Sequence, residues 1–108
     1  MNFDEYQKEA LETAIYGAGN KIIYPALGLA NEAGEVLGKI KKVLRDNNGE
    51  FNEFTNKEIA KELGDCLWYI AALAKDIDWN LNEIAQINIS KLKDRRERGV
   101  IQGNGDNR

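Results

Sequence analysis

The spacing of the apolar residues is the feature that most constrains how this chain of 108 residues can fold. Apolar side chains recur at intervals of three and four residues along most of the chain, which places them on one face of a helix. Only one proline is present, and no stretch shows the apolar–polar alternation of a half-buried strand. The sequence therefore predicts an all-α protein, a four-helix-type bundle.

Local start and stop signals place the first two helices. Asn2 and Glu5 have the spacing of a capping box, and residues 17–20, Gly-Ala-Gly-Asn, are a stop signal. Pro25 fits the first turn of a second helix, which is predicted to end near Arg45. The predicted inner face of that helix consists of Leu29, Ala33, Val36, Leu37, Ile40 and Leu44.

Two further capping boxes predict the starts of the third and fourth helices. Thr55 and Glu58 form one box, and Asn80 and Glu83 form the other. The predicted inner face of the third helix consists of Ile59, Leu63, Cys66, Leu67, Ile70, Leu73, Ala74 and Ile77.

We expect residues 1–98 to form a single helical domain and residues 99–108 to form a glycine-rich tail with little order. Helices of some 20 residues are about 30 Å long, and so short a chain can enclose only one side of them. A homo-oligomer is therefore expected, since a second copy would cover the remaining apolar surface.

The composition restricts the chemistry that the chain can perform. It contains no histidine and a single cysteine, which excludes Ser-His-Asp and Cys-His nucleophiles, histidine general bases and histidine metal sites. No apolar run approaches the roughly 20 residues that cross a bilayer, and the acidic first residues are unlike a secretory signal. We expect a cytoplasmic protein without a membrane partner.

Charge is distributed unevenly over a chain whose net charge is −3. Residues 91–98 contain five basic and two acidic side chains. Such a stretch can be a phosphate site, a nucleic-acid patch or a solvated helix end. The basic run is short and the whole chain is acidic, so we expect no stable binding of nucleic acid.

Two pairs of acids are the most informative motif. Glu32 and Glu35 lie three residues apart on the second helix, and Glu62 and Asp65 repeat that spacing on the third. Each pair shares one helix face, with Cβ atoms about 5–6 Å apart. If the two helices pack antiparallel, four carboxylates converge in one pocket, and a cation would offset the cost of burying them.

The ligand type predicts which cation this pocket would hold. Carboxylate oxygens suit Mg²⁺, with Mn²⁺ as a substitute, whereas the di-iron sites of helical bundles use Glu-x-x-His motifs. Mg²⁺ usually keeps coordination positions for water and substrate phosphates, which points to phosphate-ester or phosphoanhydride chemistry. Gly34 and Gly64 each precede the second acid of a pair, and this repetition predicts a close approach of the helices.

These motifs together resemble the MazG-like all-α nucleoside triphosphate pyrophosphohydrolases. The resemblance is carried by Glu-x-x-Glu at 32–35 and Glu-x-x-Asp at 62–65, separated by 26 residues. It extends to Asn-x-x-Lys-Leu-x-x-Arg at 88–95 and to the C-terminal segment at 103–108. The resemblance therefore covers most of the chain, from residue 26 onward. Asn31 and Lys61 stand where many relatives carry other residues.

The resemblance implies a metal-dependent enzyme that cleaves the α–β phosphoanhydride of nucleoside or deoxynucleoside triphosphates. It implies dimers or tetramers whose sites form partly across subunits. The positions that match the magnesium ligands of the family are Glu32, Glu35, Glu62 and Asp65. Those that match its phosphate contacts are Lys91 and Arg95, and Asn88 lies one turn earlier on the same face.

Physical roles can be assigned to some of these side chains. Glu35 or Glu62 could accept the proton of an attacking water, and the sequence does not choose between them. Lys91 and Arg95 are one turn apart and could clamp a triphosphate. The alternative is a solvated helix end that complements the helix dipole.

Aromatic residues beside the acids are candidates for contact with a nucleobase. Tyr69 lies one turn beyond Asp65, and Trp68 is its neighbour; either could stack on a base, or pack in the core. Two other functions stay open on the sequence. One is a phosphoribosyl-ATP pyrophosphohydrolase, and the other is a helical interaction module without catalytic activity.

Overall fold

The computed structural model describes residues 1–108 and contains helices and no strand. The predicted all-α class with four helices is therefore confirmed. The helices are α1 (Phe3–Ala10), α2 (Ile23–Asp46), α3 (Glu53–Asp76) and α4 (Leu81–Arg98). Two short 3-10 turns, Leu11–Thr13 and Ala18–Asn20, lie between α1 and α2. No helix is long and apolar enough to span a membrane.

Helices α2 and α3 form an antiparallel hairpin that is the main body of the fold. Each has 24 residues, and so is about 36 Å long. The connection at residues 47–52 is closed by the Asn47 amide, which donates to the Glu50 carbonyl at 2.5 Å. Gly49 takes a positive φ of 74° in this turn, a conformation that glycine adopts without strain.

The fourth helix starts as predicted, whereas the third starts earlier. Asn80 accepts from the Glu83 N–H at 2.9 Å, and the Glu83 carboxylate accepts from the Asn80 N–H at 3.1 Å. The predicted box at Thr55 and Glu58 is wrong. Asn52 is the N-cap of α3 and accepts from the Thr55 N–H at 2.9 Å. Asparagine is the stronger N-cap, so the helix gains three residues by starting there.

Helix α1 begins at the predicted cap but is shorter than predicted. Asn2 accepts from the Glu5 N–H at 2.9 Å, which confirms the first box. The helix ends at Ala10 rather than near residue 17. The Trp68 indole N–H donates to the Ala10 carbonyl at 3.0 Å and to the Thr13 hydroxyl at 2.9 Å. The Thr13 hydroxyl also donates to the Ala10 carbonyl, at 2.6 Å, and the Ala14 N–H bonds to the Leu11 carbonyl instead, at 3.1 Å.

A buried glutamine joins α1 to the start of α4. The Gln7 amide donates to the Ala71 carbonyl at 3.1 Å and accepts from the Leu81 N–H at 3.0 Å. One turn earlier, the Asp4 carboxylate accepts from the Asn82 N–H at 3.2 Å. The first N–H groups of a helix have no partner within it. Side chains of α1 therefore supply partners for the first turn of α4.

The core of the chain is small for its length. Only 8 of 108 residues are buried, and the radius of gyration is 16.8 Å, compared with about 13 Å for a compact chain of this length. The buried cluster consists of Ala71, Ala74 and Leu81, with Tyr6, Leu67 and Ile84 packed around it. One chain alone therefore leaves much of its apolar surface uncovered.

One uncovered surface is a stripe along α2. We name this surface the α2 stripe, and its members are Ile23, Leu27, Ala30, Gly34, Leu37 and Leu44. Leu27 and Leu37 are each 68% exposed. Several predicted inner-face residues are in fact exposed: Ala33, Leu37 and Leu44 on α2, and Leu63, Ile70 and Ile77 on α3. Periodicity finds an apolar face, but α2 has two, and α3 covers only one.

The two repeated glycines do not lie at a close approach within the chain. A β-carbon on Gly34 or Gly64 would meet no neighbouring atom within 4 Å. Both residues are exposed, because they face away from the contact between α2 and α3. The prediction of close helix approach at these positions is wrong for a single chain.

The last ten residues form turns and contain no further helix. Gly99 ends α4 with a positive φ of 70°, and the chain then folds back. The Arg108 guanidinium donates to the carbonyls of Val100 and Ile101 at 3.0 Å each, and also to that of Gly105. One arginine therefore closes the tail into a loop beside α4.

Candidate metal centre

Three of the four predicted metal ligands come together between α2 and α3. One carboxylate oxygen from each of Glu32, Glu62 and Asp65 lies within 4.8 Å of the others. We name these residues the carboxylate group. The antiparallel hairpin brings Glu32 opposite the pair on α3, and the spacing of three residues keeps Glu62 and Asp65 on one face. Glu32 and Glu62 are half-buried, and Asp65 is exposed.

The electrostatics of the carboxylate group suit a cation. The pKa of Glu32 is raised above its usual value, mainly by burial and next by the negative charge of Asp65. Its neighbour Glu62 raises that pKa further. Oxygens bound to one Mg²⁺ at about 2.1 Å lie within about 4.2 Å of each other, so small side-chain rotations would suffice. An all-carboxylate donor set fits a hard divalent ion.

Glu35 lies at the edge of this arrangement. It is exposed and is not one of the three residues that meet. Its charge nevertheless contributes to the raised pKa of Glu32. The structure thus separates the fourth predicted ligand from the other three by position, since Glu35 is not among the carboxylates that meet.

A lysine and a further glutamate border the carboxylate group. The Lys39 ammonium lies 4.0 Å from Glu62 Oε1 and 3.8 Å from Glu58 Oε2. Lys61 also pairs with Glu58, at 3.1 Å, and lowers the pKa of that carboxyl chiefly through this hydrogen bond. Glu58 is one turn before Glu62 on α3, a helical spacing that could have identified it from the sequence.

An aromatic cluster lies against the same face of the hairpin. Its members are Tyr16, Tyr24, Trp68 and Tyr69. The rings of Tyr16 and Tyr24 stack with centroids 4.9 Å apart, and Trp68 meets Tyr69 edge-on at 5.0 Å. A cavity of about 250 Å³ opens beside the cluster and is lined by Thr13, Ile15, Tyr16, Asn20, Tyr24 and Trp68.

The two predicted base-contacting residues differ in their surroundings. Tyr69 is close enough to Glu32 and Asp65 for their charges to raise its pKa, although burial is the largest cause. Trp68 directs its indole N–H into the 3-10 turn after α1, at Ala10 and Thr13. Tyr69 therefore borders the carboxylate group, whereas Trp68 holds a neighbouring segment in place.

A strained turn precedes α2 and is held by one carboxylate of α3. Ile22 has a positive φ of 68°, which a β-branched residue rarely adopts, and the Ile23 N–H bonds the Lys21 carbonyl across it at 2.7 Å. Asp76 Oδ2 accepts from the Ile22 N–H and from the Tyr16 hydroxyl, both at 2.9 Å. Asp76 thus fixes the segment that carries Tyr16 over the hairpin.

The predicted phosphate-binding residues lie on α4, away from the acids in a single chain. Lys91 Nζ is 2.6 Å and Arg95 Nη2 is 3.2 Å from Asp106 Oδ1 of the tail. Asn88 is exposed, and its side chain makes no hydrogen bond. No ion pair joins these residues to Glu32, Glu35, Glu62 or Asp65. Within one chain α4 packs mainly against α1.

Comparison with known proteins identifies the domain that carries these features. The family model described as the MazG nucleotide pyrophosphohydrolase domain matches residues 25–100, which include α2 from its third residue onward and all of α3 and α4. The chain belongs to the MazG family. The predicted resemblance is thereby confirmed, and the carboxylate group lies inside the matched MazG residues, whereas α1 lies outside them.

A curated relative covers the whole chain. It is the Gene 37 protein of Mycobacterium phage L5, which is 46% identical over 114 aligned residues that span all of both chains. Its printed name states no activity. No solved structure matches this MazG chain.

Proposed function

We propose that this chain is a nucleotide pyrophosphohydrolase that depends on a divalent metal ion. It would hydrolyse nucleoside or deoxynucleoside triphosphates at the α–β phosphoanhydride to give the monophosphate and pyrophosphate. The observation that carries the proposal is the carboxylate group, which lies within the matched MazG domain. Three carboxylates within 4.8 Å, one of them with a raised pKa, favour a bound cation.

The residues that would hold this ion are Glu32, Glu62 and Asp65. Mg²⁺ is the proposed ion, with Mn²⁺ as a substitute, because all three donors are hard oxygens. When bound, such an ion neutralises charge that develops on the phosphates and lowers the pKa of a bound water.

Glu35 is the proposed proton acceptor for the attacking water. Glu62 was the other candidate, but it belongs to the carboxylate group and lies 4.0 Å from Lys39. Glu35 is exposed and not part of the group, so its carboxylate is free to accept a proton. It lies one turn after Glu32, on the same face of α2.

Lys91 and Arg95 are proposed to bind the substrate phosphates. They share one face of α4, and a guanidinium beside an ammonium suits a polyphosphate chain. Asn88 is a weaker candidate on the same face. Because α4 and the carboxylate group are separate within one chain, we propose that the two sets of residues meet between subunits.

A homo-oligomer, dimer or tetramer, is therefore part of the proposal. The α2 stripe offers an apolar surface that only Lys41 interrupts, and the extended shape of the chain leaves it uncovered. Stripes with a period of three and four residues pack against another helix. A second copy of the chain supplies such a helix with the same stripe.

The nucleobase is proposed to contact Tyr69 rather than Trp68. The Tyr69 ring borders the carboxylate group, whose members Glu32 and Asp65 contribute to its raised pKa. Trp68 would act indirectly, by holding the turn that lines the nearby cavity.

The decisive experiment incubates the chain with a panel of nucleoside and deoxynucleoside triphosphates, with Mg²⁺ or with a chelator, and resolves the products. We expect monophosphate and pyrophosphate, and only when metal is present. Release of orthophosphate would contradict the reaction proposed, and turnover in chelator would contradict the metal dependence. No turnover would favour the helical interaction module.

A matched pair of variants tests the site itself. Glu62→Gln removes a member of the carboxylate group, and Glu58→Gln removes the same charge one turn earlier on α3. We expect Glu62→Gln to lose turnover and Glu58→Gln to keep it, because only the first residue is a proposed ligand. Equal activity of the two variants would remove the assignment.

A further inference from the structure

The tail places a negative charge between the two cations of α4. A single oxygen, Asp106 Oδ1, lies 2.6 Å from Lys91 Nζ and 3.2 Å from Arg95 Nη2. The same Nη2 also donates to the Asp106 backbone carbonyl at 2.5 Å. An oxygen that bridges a lysine and an arginine in this way occupies the position that an oxygen of a phosphate group would take.

Arg95 is almost completely covered in this arrangement. The residue is only 6% exposed, and its Nε has no hydrogen-bond partner. An unpartnered donor on a buried charged group is costly, so this side chain is incompletely satisfied by the tail alone. An incoming anion can reach the guanidinium only if residues 99–108 move away from α4.

The tail is built so that it can move as a unit. The Arg108 guanidinium holds the carbonyls of Val100, Ile101 and Gly105, and these bonds lie within the tail itself. Gly99 and Gly105 both have positive φ values, at which glycine imposes no steric restriction. The loop can therefore swing about Gly99 and keep these internal hydrogen bonds. The bonds that join it to α4 would break, namely those from Arg98 to the Arg108 carbonyl and from the Val100 N–H to the Arg95 carbonyl.

We propose that residues 99–108 form a gate over the phosphate-binding pair, in which Asp106 stands in for a substrate phosphate oxygen. The gate is closed in the free chain and opens when a polyphosphate anion displaces the Asp106 carboxylate from Lys91 and Arg95. This inference rests on the proposed function in one respect, namely that Lys91 and Arg95 bind phosphate.

The carboxylate that closes the gate is exposed, so a polyphosphate can compete with it for Lys91 and Arg95. The Asp106 side chain is 78% exposed, and exposed ion pairs contribute little because water and salt screen them. Lys91 and then Arg95 lower the pKa of this carboxyl. The carboxylate is therefore ionised at neutral pH and competes with phosphate oxygens for the two cations. A triphosphate presents several anionic oxygens against one carboxylate. The apparent Kd for the polyphosphate then equals the Kd of the open form divided by the fraction of chains whose gate is open.

Calorimetric titration with inorganic tripolyphosphate in metal-free buffer tests the gate without any turnover. We expect Asp106→Asn to bind tripolyphosphate about fivefold more tightly than the unaltered chain, since its gate is mostly open. Glu97→Gln is the matched control. It also removes one exposed carboxylate from α4, and that carboxylate has no hydrogen-bond partner. Its affinity should stay at that of the unaltered chain.

A second pair of variants separates the gate from a simple charge effect. Arg108→Ala keeps the Asp106 charge but removes the bonds that shape the tail, and we expect it to bind tripolyphosphate more tightly as well. Adding Lys91→Gln to Asp106→Asn should abolish the gain. Thermal melts of all variants check that α4 remains folded.

Three results would overturn the gate. They are equal affinity of Asp106→Asn and the unaltered chain, weaker binding by Asp106→Asn, and no binding by either. Weaker binding would instead assign Asp106 to positioning Lys91 and Arg95. Failure of the nucleotide panel with normal tripolyphosphate results would count against the proposed hydrolysis alone.

Discussion

The ring of Tyr69 on α3 lies directly against the backbone of Gly28 on α2. A β-carbon at position 28 would overlap the Cε1, Cδ1 and Cζ atoms of that ring. The volume of the Tyr69 ring therefore requires glycine at this point of the hairpin. The helical backbone conformation of Gly28 does not require it. The contact lies one turn before Glu32, so it also fixes how closely the two helices approach near the carboxylate group.

Gly28→Ala should destabilise the protein by about 1–3 kcal/mol, since an overpacked contact forces the ring or the helix to shift. Chemical denaturation measures the change in the free energy of unfolding. Gly64→Ala is the matched control, because a β-carbon there meets nothing within 4 Å. Alanine should stabilise α3 at that position by up to about 1 kcal/mol. A Gly28→Ala protein as stable as the unaltered chain would contradict the overlap.

Glu35→Gln and Asp65→Asn should affect different steps. Asp65→Asn removes a proposed ligand, so we expect the affinity for Mg²⁺ to fall. The Mg²⁺ concentration that gives half-maximal activity should rise about tenfold or more. Glu35→Gln should leave Mg²⁺ affinity nearly unchanged and lower turnover about 100-fold or more. Calorimetry measures the affinity, and steady-state kinetics measures the turnover. Loss of Mg²⁺ affinity in Glu35→Gln would place that residue among the ligands.

The Tyr16 hydroxyl should titrate at unusually high pH. Burial is the main cause that raises its pKa to about 12 from an ordinary 10.0, and its hydrogen bond to Asp76 is the next. A raised pKa means that the protonated hydroxyl stabilises the fold fully below pH 10, and that this stability is lost as the pH rises through about 12. Ultraviolet absorbance of the phenolate follows the titration.

Asp76→Asn tests the cause of that shift. The variant removes the charge that opposes ionisation, so the high titration step should move toward the ordinary value of tyrosine. Tyr16→Phe is the control and should remove the step from the titration curve. An unchanged curve in Asp76→Asn would mean that burial alone raises the pKa.

Leu37→Glu should dissociate the proposed oligomer. The substitution places a charge in the middle of the α2 stripe, where burial against a second copy would leave it unpaired. Sedimentation at several protein concentrations should show a smaller species than the unaltered chain. Ile15→Glu is the control, because Ile15 is 94% exposed and lies outside the stripe. An assembly that withstands Leu37→Glu does not use this surface.

Local sequence rules predicted the parts of the structure that local interactions decide. The caps at Asn2 and Asn80 formed as predicted, because each depends on residues three positions apart. The meeting of Glu32 with Glu62 and Asp65 also followed from helical spacing and an antiparallel hairpin. The same rules were ambiguous at α3, where two overlapping boxes competed for the start of the helix.

Features that depend on distant residues were missed. Nothing near Ala10 in sequence shows that the Trp68 indole would take its carbonyl and end α1 there. Periodicity placed Leu37 inside because it cannot distinguish a face covered by the same chain from one left for a partner. The hydrogen bonds of Arg108 to three carbonyls of the tail likewise have no local sequence signal.

The hydrogen bonds from α1 to the first turn of α4 have a consequence for how the family can vary. Gln7 and Asp4 bind the N–H groups of Leu81 and Asn82, yet α1 precedes the residues that the MazG model matches. The direction in which α4 carries its basic end is thus set by a segment outside the shared domain. A change in α1 would therefore alter the direction of α4 while every motif residue stays the same.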